Sequence, residues 1–358
     1  MDRVVSIHFV RGLAALMVVA YHLQPMLNAG FGTRYVSHLG AFGVDLFFVV
    51  SGFVMFIAAK RRPFALKRFA AARFFRIVPL YWLATLVICG LFWVGFRPNG
   101  LHILNWRILV RSLLFIPSEF ERGRHDLILS LGWTLMYELF FYGIFAFGSL
   151  LETRLRVYFF VTSVLLTAAW LGTALPSDAP FLLTYYTKPI VLEFAYGGAI
   201  ALWYSTRGPR KYDVLGAAAL ASSALALLTR PGYSEVGLSE LRFLAFGLPA
   251  ASLVVAGLLL EGSIARLPER LVVRPLSHLG DISYSLYLFH PLVGQATVKV
   301  FALIVAGQAL FAPIAGFCAL IAAVVAASII HRIVERPVLA WGKSFSLFSK
   351  GGAPVPVR

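Results

Sequence analysis

Long apolar runs separated by short polar segments dominate the chain. A helix that crosses a bilayer needs about 20 mostly apolar residues. The pattern predicts an all-α integral membrane protein with a bundle of about ten transmembrane helices, at residues 5–26, 39–59, 77–96, 130–151, 156–175, 187–205, 213–229, 242–261, 279–303 and 309–331. A shorter apolar segment, 101–117, carries Arg107 and Arg111, so we interpret it as interfacial or re-entrant.

The composition agrees with lipid as the main solvent of this chain. Of its 358 residues, 59% are hydrophobic and 13% are charged, whereas a soluble domain carries about 25% charged residues. The predicted spans leave no room for a separate soluble domain. We therefore expect one transmembrane domain at 1–342 and a short, disordered cytoplasmic tail at 343–358. Cys89 and Cys318 both lie in apolar runs, which predicts neither a disulfide framework nor a metal site.

The formal net charge of +16 is concentrated in short basic clusters between the apolar runs. Such clusters suit the anionic cytoplasmic leaflet, so we expect membrane lipids and no nucleic acid as partners. With ten spans, five clusters fall on one side, which the positive-inside rule makes cytoplasmic, together with both termini. The exception is loop 97–129, which places five arginines outside and leaves open a role for them in binding a ligand.

The first predicted span contains two ionisable side chains, Arg11 and His22. Charged groups inside a span are costly and are therefore functional candidates. Eleven residues are close to three helical turns, so both side chains lie on one face, about 16 Å apart along the axis. The alternative has Arg11 reaching lipid headgroups and His22 capping the helix. The shared face favours a lined cavity.

The predicted topology places His22, Asp45 and Glu138 at similar depths near the outer side. A carboxylate beside an imidazole fixes its tautomer and raises its basicity, as a general base requires. A structural polar cluster between helices would need the same residues. Periodicity alone does not decide between these two interpretations.

Two further polar groups fall inside predicted spans. In the ninth span, the hydroxyl groups and His290 can line a polar path, or they can join helices by hydrogen bonds. Glu193 in the sixth span precedes Gly197 and Gly198, for which close helix packing is the simpler explanation.

The basic segment 60–76 contains two arginines whose spacing is informative. Topology and lipid attraction account for most of its charges. Arg73 and Arg76, however, are three residues apart on a predicted helix and therefore face the same way. Guanidinium groups bind phosphates bidentately, so this pair predicts a phosphorylated cytoplasmic donor.

Five stretches, in order along the chain, resemble the motifs of the acyltransferase 3 family of bacterial membrane acyltransferases. They are 11–22, 43–53, 73–82, 133–142 and 282–290, with 334–337 after the last. The first carries an Arg and a His with ten residues between them. The likeness extends to residue 337, and it departs from the family at Thr134, where Ser is more frequent.

The resemblance implies a multi-pass enzyme of the bacterial cytoplasmic membrane. Such an enzyme transfers a non-aminoacyl group, most often acetyl, from cytoplasmic acyl-CoA to a hydroxyl group of a cell-surface or exported glycan. Exopolysaccharide, lipopolysaccharide and lipid-linked saccharides are the acceptors that it implies. Acyl-CoA is then a substrate, and no tightly bound cofactor is expected.

The matching positions also imply residue roles. His22 is implied as the base. The catalytic candidates are His22, Asp45 and Glu138. The donor-binding candidates are Arg11, Arg73 and Arg76. The candidates for an acceptor site or tunnel are Tyr142, Ser283, Tyr284 and His290.

Two other function classes use similar features. Buried ionisable residues also suit a proton-coupled transporter or a flippase of a glycan or lipid-linked sugar. The sequence shows no inverted repeat and no matched pair of broken helices, which are typical of many transporters. A membrane sensor or scaffold explains the spans but leaves the polar residues unexplained. Cleavage of the acetyl-CoA thioester discriminates an enzyme from both.

Overall fold

The structure, a computed structural model, describes residues 4–31, 36–58, 64–97, 104–117, 127–208, 213–229, 240–264, 266–304 and 311–347. Every regular element in these ranges is helical. The helices are α1 (Val5–Phe31), α2 (Val36–Ala58), α3 (Leu66–Trp93), α4 (Trp106–Leu113), α5 (Gly132–Gly148), α6 (Arg154–Ala174), α7 (Phe181–Tyr186), α8 (Glu193–Arg207), α9 (Val214–Leu228), α10 (Arg242–Ala245), α11 (Gly247–Leu259), α12 (Glu261–Ile264), α13 (Arg274–Ile304), α14 (Phe311–Ile330) and α15 (Arg336–Leu347).

Six helices in the described ranges are long and apolar enough to cross a bilayer, which makes this a multi-pass membrane protein. They are Val5–Gln24, Gly40–Ala58, Leu66–Trp93, Arg154–Ala174, Arg242–Leu259 and Ile314–Ser344. The other four predicted segments are also helical. Three of these helices are short, with 17 residues in α5 and 15 each in α8 and α9. The count of ten spans and the cytoplasmic termini stay predictions.

Helix α1 lies at the centre of the bundle and packs against α2, α13 and α14. Helix α2 also contacts α8 and α11, and α3 packs against the C-terminal helix α15. The buried side chains between these helices are mainly aliphatic and aromatic. Polar side chains on α1, α2, α3, α5 and α13 are therefore brought towards a shared interior.

Glycine permits the closest helix contact, between α2 and α8. A Cβ atom on Gly197 would lie 2.0 Å from the carbonyl oxygen of Val49, and one on Gly52 would lie 2.1 Å from that of Phe194. No side chain fits at either position without moving a backbone. Small residues allow this approach where lipid provides no hydrophobic driving force. The predicted packing role of Gly197 is confirmed.

The C-terminal part of the chain continues in helical structure beyond the boundary predicted at residue 342. Between α14 and α15 the chain forms a π-helical turn at His331–Glu335. Helix α15 runs through Leu347, so the first five residues of the expected tail are helical. The rest of that tail, 348–358, lies outside the described residues, as do Lys60, Arg61 and Arg62 of the basic segment.

Candidate functional site

A cavity with about 810 Å³ of empty space, including its open mouth, lies between α1, α2, α3, α5 and α13. Its described lining combines a long apolar wall with a polar group of side chains. The apolar and aromatic members are Val44, Phe47, Phe48, Val50, Val54, Met55, Ile77, Leu135, Tyr142, Tyr284 and Tyr287. The other members are Arg11, Ser51, Arg73, Arg76, Thr134, Glu138 and Ser283. Seven of the ten predicted site residues therefore meet here, and the three that do not are His22, Asp45 and His290.

The cavity carries an excess of positive charge. Arg11, Arg73 and Arg76 all line it, whereas Glu138 is the one carboxylate among its described lining residues. The guanidinium of Arg11 donates a hydrogen bond of 2.9 Å to Ser283 Oγ, which ties α1 to α13. A site with this charge and an apolar wall suits a ligand that has both an anionic and an apolar part.

Arg76 is held by a buried carboxylate from the far end of the chain. Its Nη1 atom lies 2.6 Å from Glu335 Oε1, and the side chain of Glu335 is only 2% exposed. Ser285 and His331 bind the other oxygen of Glu335 at 2.6 Å and 2.8 Å. The guanidinium also lies over the ring of Tyr284, 5.4 Å from its centroid. Arg76 is thus fixed in one orientation.

Arg73 has a different environment from Arg76. Its guanidinium lies between two rings, 5.7 Å from the centroid of Phe69 and 5.5 Å from that of Tyr142. Its Nε atom is buried and has no hydrogen-bond partner within the described ranges. A buried donor of this kind is costly unless a ligand satisfies it. Arg73 is therefore the cavity arginine best placed to bind an added anion.

Glu138 belongs to a hydrogen-bonded group within the cavity. Its Oε1 atom accepts a hydrogen bond of 2.9 Å from Ser51 Oγ and a second from the hydroxyl of Tyr142. Tyr142 lies one helical turn after Glu138 on α5, while Ser51 comes from α2. The carboxylate is thus shared between two helices, beside the arginines.

His22 pairs with a second histidine beyond the cavity lining. Its Nδ1 atom lies 3.1 Å from His290 Nε2, and neither ring is among the described lining residues. His22 is exposed, close to the end of the span Val5–Gln24, and His290 is buried. The predicted common face of α1 is confirmed, because Arg11 and His22 both form hydrogen bonds to α13.

The surrounding carbonyl groups assign the tautomers of this pair. His290 Nδ1 lies 3.0 Å from the carbonyl oxygen of Leu286, so this nitrogen carries a hydrogen and a neutral ring accepts at Nε2. His22 Nδ1 lies between that acceptor and the carbonyl oxygen of Val18, 2.9 Å away, so it also carries a hydrogen. The lone pair of His22 is then at Nε2, where a base needs it.

The structure corrects the prediction of a carboxylate beside His22. Both oxygens of the buried Asp45 bind Arg242, at 2.9 Å and 2.7 Å. Arg242 also donates to the carbonyl oxygen of Ala41 at 3.1 Å. A similar predicted depth does not determine the direction in which a side chain points. Asp45 faces α10, and Glu138 faces the arginines.

Several residues of this region had no predicted role. Glu335 stands in the matched stretch 334–337, and its charge at the end of an apolar run was a usable signal. Arg242 is likewise a charge at the start of a predicted span. Ser51, Thr134 and Tyr287 lie inside three of the matched stretches, but hydroxyl residues are ordinary in membrane helices, so no role was predicted for them.

Comparison with known proteins identifies similar sequences. The sequence profile of the acyltransferase domain family Acyl_transf_3 matches residues 4–333. The chain is 34% identical over 328 residues to the exopolysaccharide production protein ExoZ of Rhizobium meliloti (strain 1021), covering 89% of this chain and 96% of that protein. It is 26% identical to the acyltransferase MdmB of Streptomyces mycarofaciens, over 94% of this chain and 92% of that protein.

A further relative is longer than this chain. The peptidoglycan O-acetyltransferase OatA of Listeria monocytogenes serovar 1/2a (strain ATCC BAA-679 / EGD-e) is 24% identical, over 82% of this chain and 50% of that protein. No solved structure matches the chain.

Proposed function

Because the chain belongs to the acyltransferase 3 family, we propose that this membrane acyltransferase moves an acetyl group from acetyl-CoA to a hydroxyl group of an exported polysaccharide. The observation that carries the proposal is the cationic, partly apolar cavity next to the His22–His290 pair. The relatives named for exopolysaccharide production and peptidoglycan O-acetylation support a glycan as the acceptor.

The donor fits the cavity by its chemistry. Coenzyme A carries phosphates at one end and, at the other, a pantetheine arm of methyl, methylene, hydroxyl and amide groups that ends in the thioester. Arg73 and Arg76 lie in the N-terminal half of α3, at the end of the basic segment 60–76 that we assign to the cytoplasmic side. The phosphates would bind there, with Arg73 supplying the unpaired donor. The arm would then follow the apolar wall past Arg11 towards α13.

The transfer reaction needs a base at the other end of this path. His22 Nε2 takes the proton of the sugar hydroxyl while the oxygen attacks the thioester carbonyl carbon. The C–S bond then breaks, the ester forms on the sugar, and the thiolate of CoA takes up the proton. Alternatively, the acyl group passes through a histidine before it reaches the sugar. The direct hydrogen bond between His22 and His290 makes both routes compatible with one site.

A transfer assay tests the proposal. The purified full-length protein in lipid nanodiscs is given acetyl-labelled acetyl-CoA and a panel of polysaccharide and lipid-linked acceptors. We expect label on a glycan and an equal amount of free CoA, whereas a transporter would leave the thioester intact. His22→Ala should lower the rate of transfer at least about 100-fold. His278→Ala is the matched control, because His278 is an exposed histidine on the same helix as His290. Normal transfer by His22→Ala would contradict the assignment of the base.

A further inference from the structure

The cavity and the histidine pair are separated by three side chains, Phe47, Thr134 and Tyr287, which we call the barrier. We infer that the barrier keeps the thioester from His22 and water until an acceptor is bound, and so favours a sugar hydroxyl over water. This inference rests on the proposed function, since it assigns the cavity to acyl-CoA. It concerns hydrolysis, which the proposed function does not address.

The order of residues along α13 places the barrier between the two parts of the site. Ser283, Tyr284 and Tyr287 line the cavity. His290, three residues after Tyr287, does not belong to the described lining, and its ring centroid lies 6.4 Å from that of Tyr287. On this helix, an acyl group moving from Ser283 towards His290 must therefore pass Tyr287.

Hydrogen bonds hold Tyr287 in this position. Its hydroxyl lies 2.7 Å from Thr134 Oγ1, and Thr134 in turn donates to the carbonyl oxygen of Leu131 at 3.1 Å. The Tyr287 hydroxyl also lies 3.3 Å from that same carbonyl oxygen. Both side chains are buried, with residue exposures of 5% and 6%. The start of α5 and the middle of α13 are thus joined.

An aromatic contact completes the barrier on the side of α2. The ring of Phe47 meets that of Tyr287 edge to face, with centroids 5.8 Å apart. Both rings line the cavity. The three side chains therefore come from three different helices and close the same end of the cavity.

Chemistry gives a reason for a closed barrier. A base that activates a sugar hydroxyl also activates any water that reaches it, and His22 lies close to one end of the span Val5–Gln24. Attack of a water oxygen on the thioester carbonyl carbon breaks the C–S bond and yields acetate and the thiol of CoA. One hydrogen of the water ends on sulfur, and the other is released as a proton from acetic acid. Exclusion of water from the thioester prevents this loss.

The test measures CoA release from acetyl-CoA in the absence of acceptor. Tyr287→Phe keeps the ring but removes the hydroxyl, and Thr134→Val keeps the shape but removes its partner. We expect each to raise hydrolysis about 2- to 12-fold, the equivalent of one buried neutral hydrogen bond. The double variant should match the single variants, because both remove the same bond.

Two further variants are matched controls. Tyr137→Phe removes a buried tyrosine hydroxyl that donates to the carbonyl oxygen of Tyr185 at 2.7 Å, outside the described lining, so hydrolysis should stay at the wild-type rate. Thr134→Ser keeps the hydroxyl and should also hydrolyse at the wild-type rate. The hydrolysis rates of Thr134→Ser and Thr134→Val, compared at one position, test the barrier even if Tyr287→Phe folds poorly.

The outcomes separate this inference from the proposed function. Increased CoA release by Thr134→Val without acceptor, with wild-type release by Thr134→Ser, supports the barrier. Wild-type release by both Thr134→Val and Tyr287→Phe, while transfer to the glycan persists, would overturn it and leave the proposed function standing. A wild-type protein that transfers no acyl group to any acceptor would instead contradict the proposed function.

Discussion

His22 of α1 and His290 of α13 share a hydrogen bond of 3.1 Å, in which Nδ1 of the first donates to Nε2 of the second. This contact joins two residues that are 268 positions apart in the sequence. Because His22 has a second acceptor, the carbonyl oxygen of Val18, its tautomer does not depend on His290 alone. The two histidines should therefore not be equivalent in function.

The first prediction compares these histidines. His22→Ala should lower kcat for acyl transfer about 100- to 10,000-fold, the usual contribution of a general base. His290→Ala should lower kcat by a smaller factor, because the carbonyl oxygen of Val18 still accepts the Nδ1 hydrogen of His22. The measurement is acetyl transfer at saturating donor and acceptor. Equal losses in both variants would favour a relay through both rings instead.

The second prediction concerns the phosphate-binding role of Arg73. Arg73→Gln should raise KM for acetyl-CoA about 10- to 150-fold, the range for a lost hydrogen bond to a charged group. S-acetylpantetheine, which lacks the phosphates, should be used equally well by the variant and the wild type. Arg156→Gln on the exposed surface is the matched control. A similar loss with both donors would rule out a contact to phosphate.

The third prediction concerns the ion pair of Arg76 and Glu335. Glu335→Gln removes the counter-charge of a mostly buried guanidinium and should destabilise the fold by about 3–5 kcal/mol. The same substitution at Glu152, whose pair with Arg156 is exposed, should change stability by less than about 1 kcal/mol. Thermal unfolding in detergent measures both. Similar melting temperatures for the two variants would show that the buried pair is not needed for stability.

The fourth prediction separates two buried acids near α10. Asp45→Asn removes the carboxylate that binds Arg242 through both oxygens and should lower the free energy of unfolding by about 3–5 kcal/mol. Glu193→Gln should lower the free energy of unfolding by less than about 1.5 kcal/mol, because Gln has the same shape and its amide NH2 group can donate to the neighbouring Asp45 as a protonated Glu193 does. Unfolding in detergent again provides the comparison. A greater loss for Glu193→Gln than for Asp45→Asn would reverse this assignment.

The positions of the helices, and the common face of α1 that carries Arg11 and His22, could be predicted from the sequence. Apolar length determines which segments become membrane helices, and a spacing of eleven residues places Arg11 and His22 on the same side of α1. These two properties are local, so they do not depend on which helices become neighbours. The structure accordingly places both side chains against α13.

The partners of the charged residues could not be predicted in the same way. Asp45 binds Arg242 rather than standing beside His22, because the rotation of α2 about its axis is set by packing against α8 and α11. The partner of Arg76 was missed for a related reason. The π-helical turn at His331–Glu335 shifts the helical register, and no periodicity in the sequence signals such a turn.

The ion pair between α3 and Glu335 has a consequence for the order in which the site is completed. Arg76 is synthesised early, and its counter-charge follows 259 residues later. A ribosome-bound chain can therefore insert α1, α2 and α3 but cannot neutralise Arg76 until the last helices have entered the bundle. The site should therefore be complete only after Glu335 has joined the bundle, and variants truncated between residues 331 and 335 should lack a functional site even though they retain all ten predicted spans.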